Sequence, residues 1–145
     1  MKTFTIGFTQ TSAEHFFARL KAAGVRRLID VRLNTTSQLA GFAKAQDLRY
    51  FLGVITSIEY VHEPLLAPTQ DMLAAYKKEN GDWALYEKRF TDLLAQRRIE
   101  ERIRPDFFDE ACLLCSEAKE HHCHRRLVVE YLNQRWSDLL KVRHL

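Results

Sequence analysis

Residues 115–126, CSEAKEHHCHRR, bring together the side chains best suited to chemistry in this chain. Cys115 and Cys123 offer thiols, and His121, His122 and His124 offer imidazoles. Glu117 adds a carboxylate, and Arg125 and Arg126 add guanidinium groups. The types fit four uses: metal binding, a nucleophilic thiol, an anion cradle and proton transfer.

Zinc takes thiolate and imidazole ligands, so Cys115, Cys123 and the histidines form a donor set for it. Cys112 and Cys115 also make a CxxC. That pair lies inside the apolar run EACLLCS, which reads as a strand, and strand positions three apart point to opposite faces. No second CxxC and no HxxxH accompanies it. The sequence therefore requires no metal, and a zinc-stabilised structural protein stands as an alternative.

A nucleophilic cysteine needs surroundings that favour its thiolate. Cys123 has them in the start of a helix, His124 and Arg125, and Cys115 is the other candidate. The phosphatase spacing of Cys, five residues and Arg is absent. An anion would find free N–H groups at a helix N-terminus, and guanidinium forks suit phosphate or carboxylate. Arg32, Lys44, Arg125 and Thr9 are the candidates for that role. Glu117, Asp30 and His124 are candidates for general acid or base.

These residues need elements to place them. TFTIGFT (3–9) reads as a strand. Thr11 and Glu14 have capping-box spacing, and Phe16, Phe17 and Leu20 carry a helix that Gly24 stops. VRRLIDVR (25–32) reads as a second strand ending in Asp30 and Arg32. Residues 33–44 form a polar loop, and AQDLRYFLGVI (45–55) has one apolar helical stripe. A third strand covers 58–63, and a helix covers about 70–79. Asp82 opens a helix whose period runs to Pro105. The fourth strand is 110–116, apolar throughout as in a strand buried on both faces. A helix over 125–136 and an edge strand over 139–145 complete the order. Tyr50, Tyr60, Trp83 and Phe90 sit at regular structural spacing and are expected in the core.

Alternation of this kind predicts a single α/β domain over 1–145. It has three layers, with a mostly parallel central sheet of about five strands flanked by helices. Ligands of such sheets bind beyond the carboxyl ends of the strands. Thr9, Asp30, Arg32, Cys115 and Glu117 all fall there.

The totals narrow the setting. Of 145 residues, 46% are hydrophobic and 28% charged, an ordinary globular balance. The formal charge of +3 is below what dedicated nucleic-acid modules carry. No window is apolar enough to span a membrane. The start MKTFTIGFTQ lacks the run expected of a signal peptide. Three cysteines cannot close a disulfide framework, which fits a reducing, cytoplasmic setting.

TIGFT (5–9), LIDVR (28–32), FAKAQDLRYFL (42–52), IEYVHEPLL (58–66), LLCSE (113–117), CHRRLVVEYL (123–132) and KVRHL (141–145) follow one another along the chain. In this combination and order the chain resembles the family catalogued as domain of unknown function 488. The resemblance implies an α/β fold with a central sheet. It carries Asp30, Arg32, Lys44, Cys115, Glu117, Cys123, His124 and Arg125 over as recurrent polar positions, and it supplies no reaction. The expectation is an enzyme, a hydrolase or transferase, acting on a phosphorylated or nucleotide-like anionic substrate. A non-catalytic module for a nucleotide or nucleic acid is the alternative, besides the zinc-stabilised protein.

Overall fold

The computed structural model describes residues 1–36, 40–117 and 122–145. Five strands alternate with helices in the order β1 (Lys2–Gly7), α1 (Ala13–Ala22), β2 (Arg27–Asp30), α2 (Ala45–Ile55), β3 (Glu59–His62), α3 (Gln70–Lys78), α4 (Trp83–Arg97), α5 (Ile99–Arg102), β4 (Ala111–Cys115), α6 (His124–Arg135) and β5 (Lys141–His144). The strands form one sheet in the spatial order β3-β2-β4-β1-β5, and every pairing is parallel.

Strand parity builds the two outer layers. Phe4, Ile6, Leu28, Cys112 and Leu114 face one side, where Phe16, Phe17 and Leu20 of α1 and Leu48 and Leu52 of α2 cover them. Ile29, Ala111, Leu113 and Cys115 face the other, under Tyr86, Phe90 and Leu94 of α4 and Leu127, Val128 and Leu132 of α6. All five residues of β4 are buried, as befits the middle of a parallel sheet. Cys112 and Cys115 therefore belong to different cores, and the CxxC does not act as a unit.

The layers also create the crevice. β4 lies between β2 and β1, whose following helices α2 and α1 cover one face. The helix after β4, α6, covers the opposite face. Chains that leave neighbouring strands for opposite faces part at the carboxyl ends, and the gap they leave is the usual ligand position in open α/β sheets.

Two local expectations are corrected. The cap of α1 is Ser12, not Thr11. Its backbone is extended and its Oγ accepts from the His15 N–H at 3.1 Å. The Thr11 hydroxyl instead donates to the Ser12 carbonyl at 3.4 Å. Ser12→Ala should cost about 1 kcal/mol in urea unfolding, and Thr11→Ala should leave the midpoint close to wild type. The helix from Asp82 also does not run on to Pro105. Arg98 adopts the left-handed conformation, φ 54°, and its N–H turns back to the carbonyls of Ala95 and Leu94. This ends α4 at Arg97 and lets the single turn of α5 set off in a new direction. Tyr50, expected in the core, is instead 65% exposed, while Tyr60 and Phe90 are buried.

Among the described residues, no helix is long and apolar enough to cross a membrane.

Candidate active site

The central strand ends at Cys115, and its neighbours hold the turn that follows. The Val31 N–H donates to the Leu114 carbonyl at 3.1 Å. Thr9 donates to the Ser116 carbonyl twice, from its backbone N–H at 3.1 Å and from its hydroxyl at 2.9 Å. The chain re-enters at Cys123, the cap residue of α6, whose backbone is extended and whose side chain makes no capping bond. Cys115, Cys123 and His124 thus meet, with one sulfur or nitrogen from each lying within 4.8 Å of the others.

A cavity of about 300 Å³ opens over this cluster. Cys115, Cys123, His124, Arg32 and Glu117 line it on the sheet side. Tyr76, Trp83 and His122 supply an aromatic part of its wall. Trp83 stacks on His122 with ring centroids 5.0 Å apart and on Tyr86 at 5.2 Å.

The two sulfurs are not equivalent. Burial pushes the Cys115 thiol up, but four influences outweigh it and leave it below the ordinary thiol value. These are a hydrogen bond with Cys123, the positive charge of Arg125, and the backbone N–H groups of Ser116 and Glu117. Cys123 is driven the other way, by burial and by the Cys115 charge beside it. Of the two, Cys115 is therefore the sulfur whose surroundings favour the charged form. Cys112, on the far face, is raised by burial alone against the weaker pull of Arg125 and Arg19. The sequence pointed to the helix start as the place for a thiolate. The surroundings favour the charge on Cys115 at the end of β4 instead, with the helix start and the turn after the strand both contributing.

His124 is held from both sides. Its Nε2 is 2.6 Å from the Val31 carbonyl, so that nitrogen carries the proton. Phe90 meets the ring edge-on at 5.3 Å. The Cys115 sulfur is 3.4 Å from Nδ1 and 4.0 Å from Nε2. A sulfur on the Nδ1 lone-pair axis would stand much farther from Nε2 than from Nδ1. Cys115 therefore lies beside the ring, not in line with its free lone pair. A zinc ion shared by the three side chains needs that lone pair to converge with both sulfurs. The cluster has zinc's donor types without that alignment.

Arg32 stands at the rim of the same cavity and is 3% exposed. Its Nε and Nη2 donate to Asp30 at 2.9 and 2.7 Å, and Nη2 also reaches the Ala43 carbonyl at 2.7 Å. Its guanidinium carbon lies 4.9 Å from the Phe8 ring centroid. Burial alone would lower the Arg32 pKa, but the bonds and charge of Asp30 outweigh it and raise it. Nη1 is buried and has no hydrogen-bond partner among the described residues. The Trp83 indole N–H is in the same state. Unmade donors of this kind are costly, and in a cavity lining they suit an acceptor that arrives with a ligand.

The remaining candidates take supporting places. Asp30 is fully buried behind Arg32, where Tyr60 also donates to it at 2.6 Å. Arg125 is 1% exposed and does not line the cavity. It donates to the Glu117 carbonyl at 2.6 Å and to the Thr5 hydroxyl at 3.3 Å, and so braces the turn after β4. Thr9, just beyond the end of β1, braces the same turn. Lys44 caps α2 by its backbone, outside the cavity lining. Glu117 is exposed at the mouth. His121 lies outside the described residues.

Sequence reasoning assigned Trp83 to the core, and missed it and Tyr76 as cavity wall. Both obey helical periodicity, which reports the buried face of a helix but not what that face meets. The available signal was position: Trp83 is the first residue of α4, at the end of the layer beside the strand ends.

A family model described as Domain of unknown function DUF488 matches residues 12–132. The chain belongs to this family. The DUF488 span takes in Asp30, Arg32, Lys44, Cys115, Glu117, Cys123, His124 and Arg125. Thr9 and the segments 5–9 and 141–145 fall outside it. Comparison of this DUF488 chain with curated proteins gives no match, and comparison with solved structures gives none.

Proposed function

We propose that this protein is an enzyme acting on a small anionic substrate, phosphorylated or nucleotide-like, with Cys115 as its nucleophile. The reading rests on one observation: a buried thiol lines a cavity with a second thiol and an imidazole within 4.8 Å, in surroundings that favour its charged form. Burial alone would do the opposite, so the donors around Cys115 act specifically on its charge. Arg32 Nη1 and Trp83 Nε1, now closed off from solvent, are the donors that would meet the oxygens of the substrate after a small side-chain shift. The wall of Tyr76, Trp83 and His122 suits a planar or apolar remainder. Glu117, at the mouth, is placed to exchange a proton with a leaving group or water. Asp30 fixes Arg32, and Arg125 and Thr9 fix the turn that carries the Ser116 and Glu117 N–H groups.

Iodoacetamide labelling read by peptide mass spectrometry tests the nucleophile. Cys115 should label well below the pH at which an ordinary thiol ionises, while Cys112 stays unlabelled in the folded chain. Protection tests the substrate class. Inorganic phosphate or a nucleoside monophosphate should slow Cys115 labelling. Arg32→Lys, which keeps a cation beside Asp30 but deletes Nη1, should remove that protection. If Cys115 labels no faster than Cys112, the nucleophile is wrong. If no anion protects, the substrate class is wrong.

A further inference from the structure

Cys115 and Cys123 differ from an ordinary nucleophile and its neighbour in one respect: both partners are sulfur. Their sulfurs lie within 4.8 Å of each other, and their surroundings lower one thiol and raise the other. Both residues line a cavity open to solvent. We infer that the pair is a peroxide-oxidisable dithiol, in which Cys115 is oxidised first and Cys123 resolves it to an intramolecular disulfide. This rests on the reading of Cys115 as a thiolate and goes beyond it in giving Cys123 a chemical role.

The steps balance without a cofactor. The Cys115 thiolate attacks one oxygen of a hydroperoxide, forming an S–O bond as the O–O bond breaks. Sulfur is oxidised by two electrons, and the departing oxygen takes a proton from water to leave as water or an alcohol. Cys115 is then a sulfenic acid. Cys123, deprotonated as its neighbour's charge vanishes, attacks the Cys115 sulfur. An S–S bond forms, the S–O bond breaks and the hydroxide leaves as water. A thiol reductant returns both residues to their starting state.

The division of labour follows from position. The attacking sulfur must be the one that ionises more readily, which is Cys115. The resolving sulfur must be able to move, because a disulfide needs the sulfurs about 2.05 Å apart. Cys123 is buried in the core, so the movement required is a side-chain rotation. Its backbone is extended, it stands just outside the first turn of α6, and its side chain makes no capping bond that rotation would break. Loss of the Cys115 charge also removes one of the influences holding the Cys123 proton. Cys112 is excluded by the sheet, since it packs in the opposite core with its thiol pushed up by burial.

The test treats the reduced full chain with one equivalent of hydrogen peroxide and maps its cysteines by non-reducing peptide mass spectrometry. The expected product is a Cys115–Cys123 bridge with Cys112 free. Cys123→Ser should instead accumulate Cys115 sulfenic acid, trapped by dimedone, and Cys112→Ala should behave as wild type. Sulfinic acid at Cys115 of the wild-type chain, a bridge between two chains, or a bridge to Cys112 would each overturn the inference. Iodoacetamide labelling of the same sample separates the two readings. Rapid labelling of Cys115 without disulfide formation removes the dithiol and keeps the nucleophile. Slow labelling removes both. One zinc per chain in the purified protein, released only by oxidation of both cysteines, also overturns it by making them ligands.

Discussion

Asp30→Asn is expected to destabilise the protein by about 3–5 kcal/mol, the usual cost of removing one partner from a buried ion pair. Asp30 is fully buried and Arg32 nearly so. All four groups bonded to the carboxylate are donors. Oδ1 accepts from the Arg32 backbone N–H at 3.1 Å and from Nε at 2.9 Å. Oδ2 accepts from Arg32 Nη2 at 2.7 Å and the Tyr60 hydroxyl at 2.6 Å. An asparagine must turn its own N–H₂ toward two of those donors, whichever way it flips, and it leaves the guanidinium charge uncompensated. Tyr60→Phe removes one donor and no charge, and should cost only about 1 kcal/mol. Urea unfolding of the two variants checks the ratio. Equal losses would mean that the carboxylate charge contributes little.

The second large effect is expected at Arg125, and its readout is chemical as well as thermodynamic. The Arg125 charge is one of the influences that lower the Cys115 thiol. Arg125→Met keeps an apolar stem in a buried slot and removes that charge. Cys115 labelling at neutral pH should fall by about tenfold for each pKa unit that the thiol rises. The shift has a definite sign. In the wild type the Cys115 thiolate persists as pH falls below the ordinary thiol range, and in the variant labelling should be lost earlier on the same descent. The Glu117 carbonyl and the Thr5 hydroxyl also lose a donor, at about 1–3 kcal/mol for a buried group left unmade. A pH–labelling profile unchanged by Arg125→Met would show that the N–H groups of Ser116 and Glu117 and the Cys123 thiol hold the charge by themselves.

The two effects bear on how much of this site could be read from the chain. The fold was legible where pattern is strong. The apolar run 110–116 gave the middle strand, and its parity separated Cys112 from Cys115 before any coordinates. The segment 45–55 matched α2 at both ends, with Leu48 and Leu52 of its stripe buried and Ile55 exposed. The misreadings have local causes. Thr11 and Ser12 are both good caps, and only the backbone angles at Ser12 decide between them. Arg98 takes a left-handed turn with no glycine to announce it, so the periodicity ran past the break.

The site was legible as a list and not as an arrangement. Sequence reasoning picked five residues that line the cavity, and it placed the loop between strand and helix correctly. It could not separate contact from support. Arg125 and Arg32 are the same side chain and both are buried, yet one braces a turn and the other lines the cavity with a buried donor unmade. Nor could it rank the thiols, because the ranking depends on which sulfur the N–H groups of Ser116 and Glu117 reach. Those are relations across space, and residue type does not encode them.

The strand order has a consequence for how the chain is made. β1 and β2 emerge from the ribosome first, but they do not pair with each other; β4 fills the place between them. Until residues 111–115 have been synthesised, each of the early strands exposes an open edge toward an absent neighbour. The β2–β3 pair can form on its own, while β1 must wait for a partner roughly a hundred residues downstream in synthesis, the kind of long-range closure that slows folding. The segment that completes the sheet is also the one that ends in Cys115. A nascent chain therefore has no cavity, and no neighbours to acidify that thiol, until the fold is nearly finished. The surroundings that favour its charged form come together only at the last stage of assembly.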